Sequence, residues 1–287
     1  MSNTAPFVAE NSQTKHTSVA TQGVATVWDI VPLHRLPVIV KTPFMVAVGA
    51  LLSGAEFHLS TVGVTMILGG LLWAVLYPFN EATDLAYEEN REIPRPAWAI
   101  FALLLTVICV LGWQVRHSVG ILLAGMVLSQ ILYCAPHSRI RLKRYWWGSV
   151  LLSGTVNPVL RLWCGAVWGI HGSSALLYTA FLCIHLGAAF RARVLLRERD
   201  NRLGYSPIPS WAKSMGIFTT AVGLLATLVL LLKHELPQIF SLFWLVATLF
   251  ACYAWSGRAK SMQELRRGWL LFAALSVIAL LFLYFNH

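Results

Sequence analysis

The chain has 287 residues, 57% of them hydrophobic and 12% charged, with mean hydropathy +0.65 and a net charge of +10. A soluble domain carries about 25% charged residues, so this composition excludes an ordinary water-soluble enzyme and points to a polytopic membrane protein. The basic residues are spread over separate segments between apolar runs, which argues against a nucleic-acid partner and for the anionic membrane surface.

Residues 1–28 are polar, rich in Ser, Thr and Ala, and lack the apolar core of a signal peptide. They read as a disordered tail. From residue 29 the chain reads as one membrane domain to residue 287. A bilayer-spanning helix needs roughly 20 apolar residues. Nine runs qualify, at about 36–54, 61–79, 97–114, 118–135, 148–169, 172–190, 214–232, 238–256 and 269–285. The expected fold is therefore all-α, a nine-helix transmembrane bundle. Of the 22 Lys and Arg residues, all but Arg116, Arg161 and Lys233 fall on the N-terminal side or in the four longer loops. The positive-inside rule then puts the N-terminus and these loops in the cytoplasm and the C-terminus on the opposite side.

The end of the second run carries the first chemical signal. Glu81, Asp84, Glu88, Glu89 and Glu92 are five of the chain's 12 carboxylates. If helix two continues to residue 90, Asn80, Asp84 and Glu88 drift by only about 40° and form one polar stripe, with Glu81 beside it. A solvated acid cluster would explain the stripe. So would Mg2+, a hard ion that favours carboxylate and amide oxygens and shares its coordination with phosphates. In "REIPRP" (91–96), Pro94 and Pro96 are expected to end the helix.

Arg139, Arg141, Lys143 and Arg144 make a dense basic loop after the fourth run, near Tyr133 and His137. The positive-inside rule alone would account for it, as would phosphate capture. After the sixth run, Arg193, Arg197 and Asp200 share a face on a helical continuation, and Asn201-Arg202-Leu203-Gly204 reads as a helix stop. Carboxylates and cations thus meet at one end of the bundle. Mg2+ with guanidinium and ammonium groups is suited to binding a diphosphate. A diphosphate whose organic part dissolves in the bilayer is a prenyl diphosphate.

At these residues the sequence resembles the UbiA superfamily of intramembrane prenyltransferases. Members typically show NDxxDxxxD after the second of nine helices, followed by an Arg-Pro turn. Here Asn80-Glu81-Ala82-Thr83-Asp84-Leu85-Ala86-Tyr87-Glu88 and Arg95-Pro96 stand in those places. Tyr133-Cys134 and Arg141-Leu142-Lys143-Arg144 match the ends of a stretch after the fourth helix. The likeness extends over nearly the whole chain from residue 29. It implies a Mg2+ site at Asn80, Asp84 and Glu88, with Asp200 as a weaker contact, and diphosphate binding by Lys41, Arg141, Lys143, Arg193 and Arg197. It also implies transfer of the prenyl group to a lipophilic acceptor, aromatic ones included, with Asp84, Arg161 and Tyr133 as catalytic candidates.

The chain departs from the family at Glu81 and Glu88, which replace aspartates and keep the carboxylate. It departs further in the second motif, DxxxD, where Leu196 stands in place of the Asp that would partner Asp200. The resemblance therefore does not carry a second Mg2+ site to this chain, and Arg193 and Arg197 would neutralise the diphosphate there instead. Two other branches remain open. One is the terpene cyclases, which need no acceptor. The other is the polyprenyl-phosphate phosphoribosyltransferases, whose Val-Lys-Asn and Arg…Ala-Gly signatures are partly matched by Val40-Lys41-Thr42 and Arg161…Gly165-Ala166. A transporter would also explain the spans, although no inverted repeat is visible.

Inside the spans, Arg161 either bonds helix carbonyls or faces a cavity, with Asn157 one turn away. Lys41 has the same choice, or snorkels to the membrane edge. His185 reads as a packing histidine. Trp113, Trp146, Trp147, Trp168 and Trp211 read as interfacial anchors, and Trp73, Tyr77, Tyr87 and Trp163 as pocket-wall candidates. The five cysteines, Cys109, Cys134, Cys164, Cys183 and Cys252, have no CxxC spacing and read as packing residues.

Overall fold

The computed structural model describes residue 25 and residues 39–135, 141–169, 175–236 and 238–268, apart from Ile239, Ala259, Gln263, Arg266 and Arg267. The elements in chain order are α1 (Lys41–Leu52), α2 (Val64–Glu88), α3 (Arg95–Val115) and α4 (His117–Cys134), then α5 (Trp146–Leu151), α6 (Asn157–Ala166) and α7 (Ala175–Leu195). Finally come α8 (Arg197–Arg202), α9 (Ala212–Leu232) and α10 (Phe240–Trp255). Eight of the expected apolar runs fall on these helices. The ninth, 269–285, lies outside the described residues, as do residues 1–24 and 26–28 of the expected tail. Ala25 departs from that expectation. It is buried against α2 and α3 with Leu85, Ile93 and Phe101, and its N–H bonds the Glu92 carbonyl.

The chain is an integral membrane protein. Leu59–Glu88, Arg95–Val115, His117–Cys134 and Ala212–Leu232 are each long and apolar enough to cross a bilayer. Helix α3 shows how such a helix divides its surface. Phe101, Leu105, Ile108 and Gly112 form its buried stripe, while Leu103, Val107, Val110 and Leu111 are exposed. This is the pattern of a peripheral helix with one face on the bundle and the rest in hydrocarbon.

Two local devices shape the interior. The run 148–169 is one helical rod interrupted by a π turn at Leu152–Val156. Pro158, which lacks an N–H to continue the ladder, sits in the first turn of α6 just beyond it. Helices α1 and α6 cross almost backbone to backbone. A Cβ on Gly49 would lie 1.9 Å from the Leu162 carbonyl oxygen, and one on Gly165 would lie 1.8 Å from that of Val46. Small residues at such a crossing let the helices gain dispersion contact that lipid cannot replace.

The end of α2 differs from the expectation in its mechanism. Asn90, in the left-handed region at φ 52°, stops the helix, and the Arg91 N–H turns back to the Leu85 carbonyl. Pro94 and Pro96 lie beyond the stop. They cap and open α3, where the absent N–H costs nothing.

Because the α1–α6 crossing has no room for a side chain, Gly165→Val should separate the helices at a cost of about 1–3 kcal/mol or more. The expected result is a lowered midpoint of thermal unfolding in detergent, read by differential scanning fluorimetry. Gly125→Ala, where an added Cβ meets only the Leu160 side chain at 3.5 Å, should shift it far less.

Candidate functional site

The segment Leu59–Glu88 contains 30 residues, about 45 Å of helix at 1.5 Å per residue. A hydrocarbon core is about 30 Å thick. The last turns of α2 therefore reach past the apolar layer, and they carry Asn80, Asp84 and Glu88. Asp84 and Glu88 face the segment that leads into α5. Arg141 Nη2 lies 2.8 Å from Asp84 Oδ1 and 3.1 Å from Glu88 Oε1. Lys143 Nζ lies 2.5 Å from Asp84 Oδ2 and 3.0 Å from Glu88 Oε1. The Arg141 side chain is fully buried. It also donates to the Thr83 carbonyl at 3.3 Å and lies over the Tyr87 ring, 4.3 Å from its centre.

Helix α8 supplies the third wall. Arg199 forms a close ion pair with Glu88 Oε2 and lies 4.0 Å from Asp84 Oδ2. Tyr205 Oη donates to Glu88 Oε1 at 2.7 Å. Burial alone would lower the Arg199 pKa, but Glu88 outweighs it and holds the guanidinium above its usual value. Burial and the bond to Glu88 push the Tyr205 hydroxyl up, so it stays a donor. The α8 helix ends in the expected stop. Gly204 has φ 66°, Tyr205 N–H reaches the Asp200 carbonyl, and Gly204 N–H reaches that of Asn201.

The structure separates the sequence candidates. Asp84, Glu88, Arg141 and Lys143 come together. Asn80 lies one turn along α2, and its Oδ1 has a long contact of 3.5 Å from Gln130 Nε2. Arg193 pairs with Asp200 at 3.0 Å and donates to the Lys143 carbonyl at 3.3 Å, so it braces the loop. Burial raises the Asp200 pKa, and the nearby Arg193 and Arg199 oppose the rise.

Arg197 corrects the expectation. It is exposed and donates to the Ile208 carbonyl at 3.2 Å. The helix breaks at Leu196 (φ −89°, ψ 2°), so the assumed common face with Arg193 and Asp200 does not persist. Arg199 and Tyr205, which the periodicity did not single out, face the carboxylates instead.

Lys41 is placed on another wall. With His185, Arg191 and Ser153 it lines a cavity of about 200 Å3, whose apolar side includes Leu224 and Phe250. None of Asp84, Glu88, Arg141 and Lys143 lines that cavity. Arg161 is buried over the Trp73 ring, 3.9 Å from its centre, and hydrogen-bonds Tyr77. His185 Nδ1 bonds the Phe181 carbonyl. Tyr133 Oη lies 3.4 Å from Ser149 Oγ, and Asn157 Oδ1 accepts from Ser129 Oγ at 2.6 Å. Of the four aromatic wall candidates, Trp73 and Tyr77 surround Arg161, and Tyr87 lies under Arg141. Trp163 is 47% exposed and faces away from the interior. His137 and Arg139 lie outside the described residues.

Among the described residues no three His, Cys, Asp or Glu side chains converge as a metal cluster. The hard donors for a divalent ion are the Asp84–Glu88 pair and the weakly engaged Asn80 amide. They suit Mg2+ by donor chemistry, although cations now occupy the carboxylate oxygens. Asp200, held by Arg193, stands apart from this set.

The chain has the UbiA-type fold. It matches a UbiA homologue from Archaeoglobus fulgidus solved with DMAPP and Mg2+, at TM-score 0.68 and 15% identity, over 88% of this chain and 99% of that one. The same homologue bound to Cd2+ matches at TM-score 0.64 and 15% identity, over 88% and 99%. A further structure of it matches at TM-score 0.61 and 14% identity, over 88% and 98%. No protein-family model matches the sequence, and no curated protein matches it significantly.

Breaking a buried ion pair from one side costs about 3–5 kcal/mol, whereas a hydrogen bond to a charged group contributes about 1.5–3 kcal/mol, and without Tyr205 the Glu88 carboxylate keeps Arg141, Lys143 and Arg199. Arg141→Ala should therefore lower thermal stability more than Tyr205→Phe. Unfolding midpoints of the two variants in the same detergent check this ordering.

Proposed function

We propose that this protein is a Mg2+-dependent intramembrane prenyltransferase that ionises a prenyl diphosphate and passes the prenyl group to a lipophilic acceptor. The observation that carries this reading is the convergence of Asp84 and Glu88 with Arg141, Lys143 and Arg199 at one end of a UbiA-type bundle. The homologue of this fold bound to DMAPP and Mg2+ supports the same substrate class.

In this scheme Asn80, Asp84 and Glu88 hold Mg2+, which when bound neutralises the departing diphosphate. Arg141, Lys143 and Arg199 bind the diphosphate oxygens, and Arg193 fixes the loop that carries Lys143. Asp200 serves mainly as the Arg193 partner. The C1–O bond breaks heterolytically, and its electron pair leaves with the diphosphate. The allylic cation bonds to an electron pair of the acceptor, which then loses a proton. Arg161 belongs to the acceptor side of the scheme, because a cation beside the carbocation itself would oppose ionisation, and the Tyr133 hydroxyl is a neutral hydrogen-bonding group for the reacting molecules. The cavity lined by Leu224 and Phe250 offers apolar walls for a hydrocarbon, with Lys41 and Arg191 at its polar side. The distribution of Lys and Arg supports a cytoplasmic charged mouth and N-terminus, and residues 29–287 are read as one catalytic domain.

A transporter accounts for the spans but gives no role to carboxylates and cations gathered at one membrane edge. The test is diphosphate release by purified protein from geranyl or farnesyl diphosphate with Mg2+, followed by mass spectrometry of products with and without phenolic acceptors. Release should depend on Mg2+, and Asp84→Asn should reduce it by about 100-fold or more while the protein stays folded. Absence of release across chain lengths and acceptors would sink the proposal. A cyclised hydrocarbon or alcohol in the acceptor-free reaction would replace transfer by cyclisation.

A further inference from the structure

Every carboxylate oxygen of the Asp84–Glu88 pair is already engaged. Asp84 Oδ1 faces Arg141 and Oδ2 faces Lys143. Glu88 Oε1 accepts from Arg141, Lys143 and Tyr205, while Oε2 pairs with Arg199. Two negative charges thus lie among three positive ones. A divalent cation arriving alone meets oxygens that are taken and a local excess of positive charge that repels it.

A diphosphate changes both conditions. Its oxygens compete for the same guanidinium and ammonium groups, and charge-assisted bonds to phosphate are as strong as those to carboxylate. The three cations are not equally able to respond. Arg141 is fully buried and fixed by the Thr83 carbonyl and the Tyr87 ring. Lys143 makes its contacts through a single ammonium on a flexible stem, and Arg199 is 40% exposed at its side chain. Lys143 is itself buried, but neither it nor Arg199 has the carbonyl and ring contacts that fix Arg141, so both can turn from the carboxylates to an incoming anion.

We propose that Lys143 and Arg199 are internal counter-ions, which hold Asp84 and Glu88 in the substrate-free protein and release them to a divalent cation only when a diphosphate takes up their charge. Metal and diphosphate then bind cooperatively, each raising the affinity for the other by the same factor. Metal alone binds weakly because it must displace the two side chains without offering them a new partner. The inference rests on the reading of this site as a diphosphate site, and it adds the order and coupling of binding.

The experiment uses the full chain in detergent, with Mn2+ as a spectroscopic stand-in for Mg2+ and inorganic pyrophosphate as the anion. Protein-bound Mn2+ is measured by electron paramagnetic resonance after equilibrium dialysis, at matched free Mn2+. Pyrophosphate should tighten Mn2+ binding to the unaltered protein by about 10-fold or more. Lys143→Gln and Arg199→Gln should each bind Mn2+ alone about fivefold tighter than the parent, with a smaller gain from pyrophosphate. Because Arg199 is partly exposed, its variant keeps the test valid should the Lys143 variant unfold. Equal Mn2+ affinity with and without pyrophosphate, or no gain in metal-only affinity in a folded variant, would overturn the counter-ion role. If neither pyrophosphate nor farnesyl diphosphate binds under any condition, the prenyl diphosphate reading fails. The metal-only affinities of the variants then decide separately whether these cations guard the carboxylates.

Discussion

The contact between the carboxylates of α2 and the cations of residues 141–143 organises the charged end of the bundle. Arg141 is fully buried, and a buried guanidinium is tolerated only where its charge is matched. Asp84, Glu88 and the Thr83 carbonyl supply that match. With Arg141 seated, the loop behind it becomes a fixed surface. Its Lys143 carbonyl receives Arg193, and its Arg144 carbonyl receives the Ser206 N–H. One short segment therefore joins α2, α7 and the chain that follows α8. The position of each functional side chain depends on that joint.

The charge inventory of the site follows from what α7 and α8 lack. Leu196 stands where a second carboxylate would be needed to pair with Asp200, and Asp200 is held by Arg193. What α8 and the turn after it direct toward α2 is a cation, Arg199, and a hydroxyl, Tyr205. The face opposite the first carboxylate motif is thus a donor surface. Such an arrangement favours binding a polyanion directly over binding a second metal between two acid-bearing helices. Glu88 is its hub, since it receives donors from the 141–143 segment, from Arg199 in α8 and from Tyr205 in the turn beyond it.

How much of this was legible depends on whether the backbone kept its period. Helix α2 runs unbroken to Glu88 despite Pro78 within it, so counting residues placed Asp84 and Glu88 on one face correctly. The same counting failed for Arg197. The helix breaks at Leu196 and restarts as the six-residue α8, which turns Arg199 rather than Arg197 toward the site. The Gly204 stop was readable from residue type alone, because a left-handed terminus favours glycine. Its consequence, that Tyr205 is delivered to Glu88, needed the relative position of two residues 117 apart in sequence. For Trp163 the composition argument could not distinguish a lipid-facing from an inward-facing ring. The close α1–α6 crossing at Gly165 decides that orientation.

Polar groups continue from the charged mouth into the bundle. Gln130 on α4 approaches Asn80, its neighbour Ser129 bonds Asn157 on α6, and Arg161 follows one turn later over Trp73. In a bilayer each such group must find its partner within the protein. The π turn at Leu152–Val156 and Pro158 set the register of α6 so that Asn157 and Arg161 face inward. A bundle required only to cross a membrane would be more stable with Leu at these positions. Asn157 meets Ser129, and Arg161 meets Tyr77 and the face of Trp73, so both polar side chains carry their partners inside the bundle.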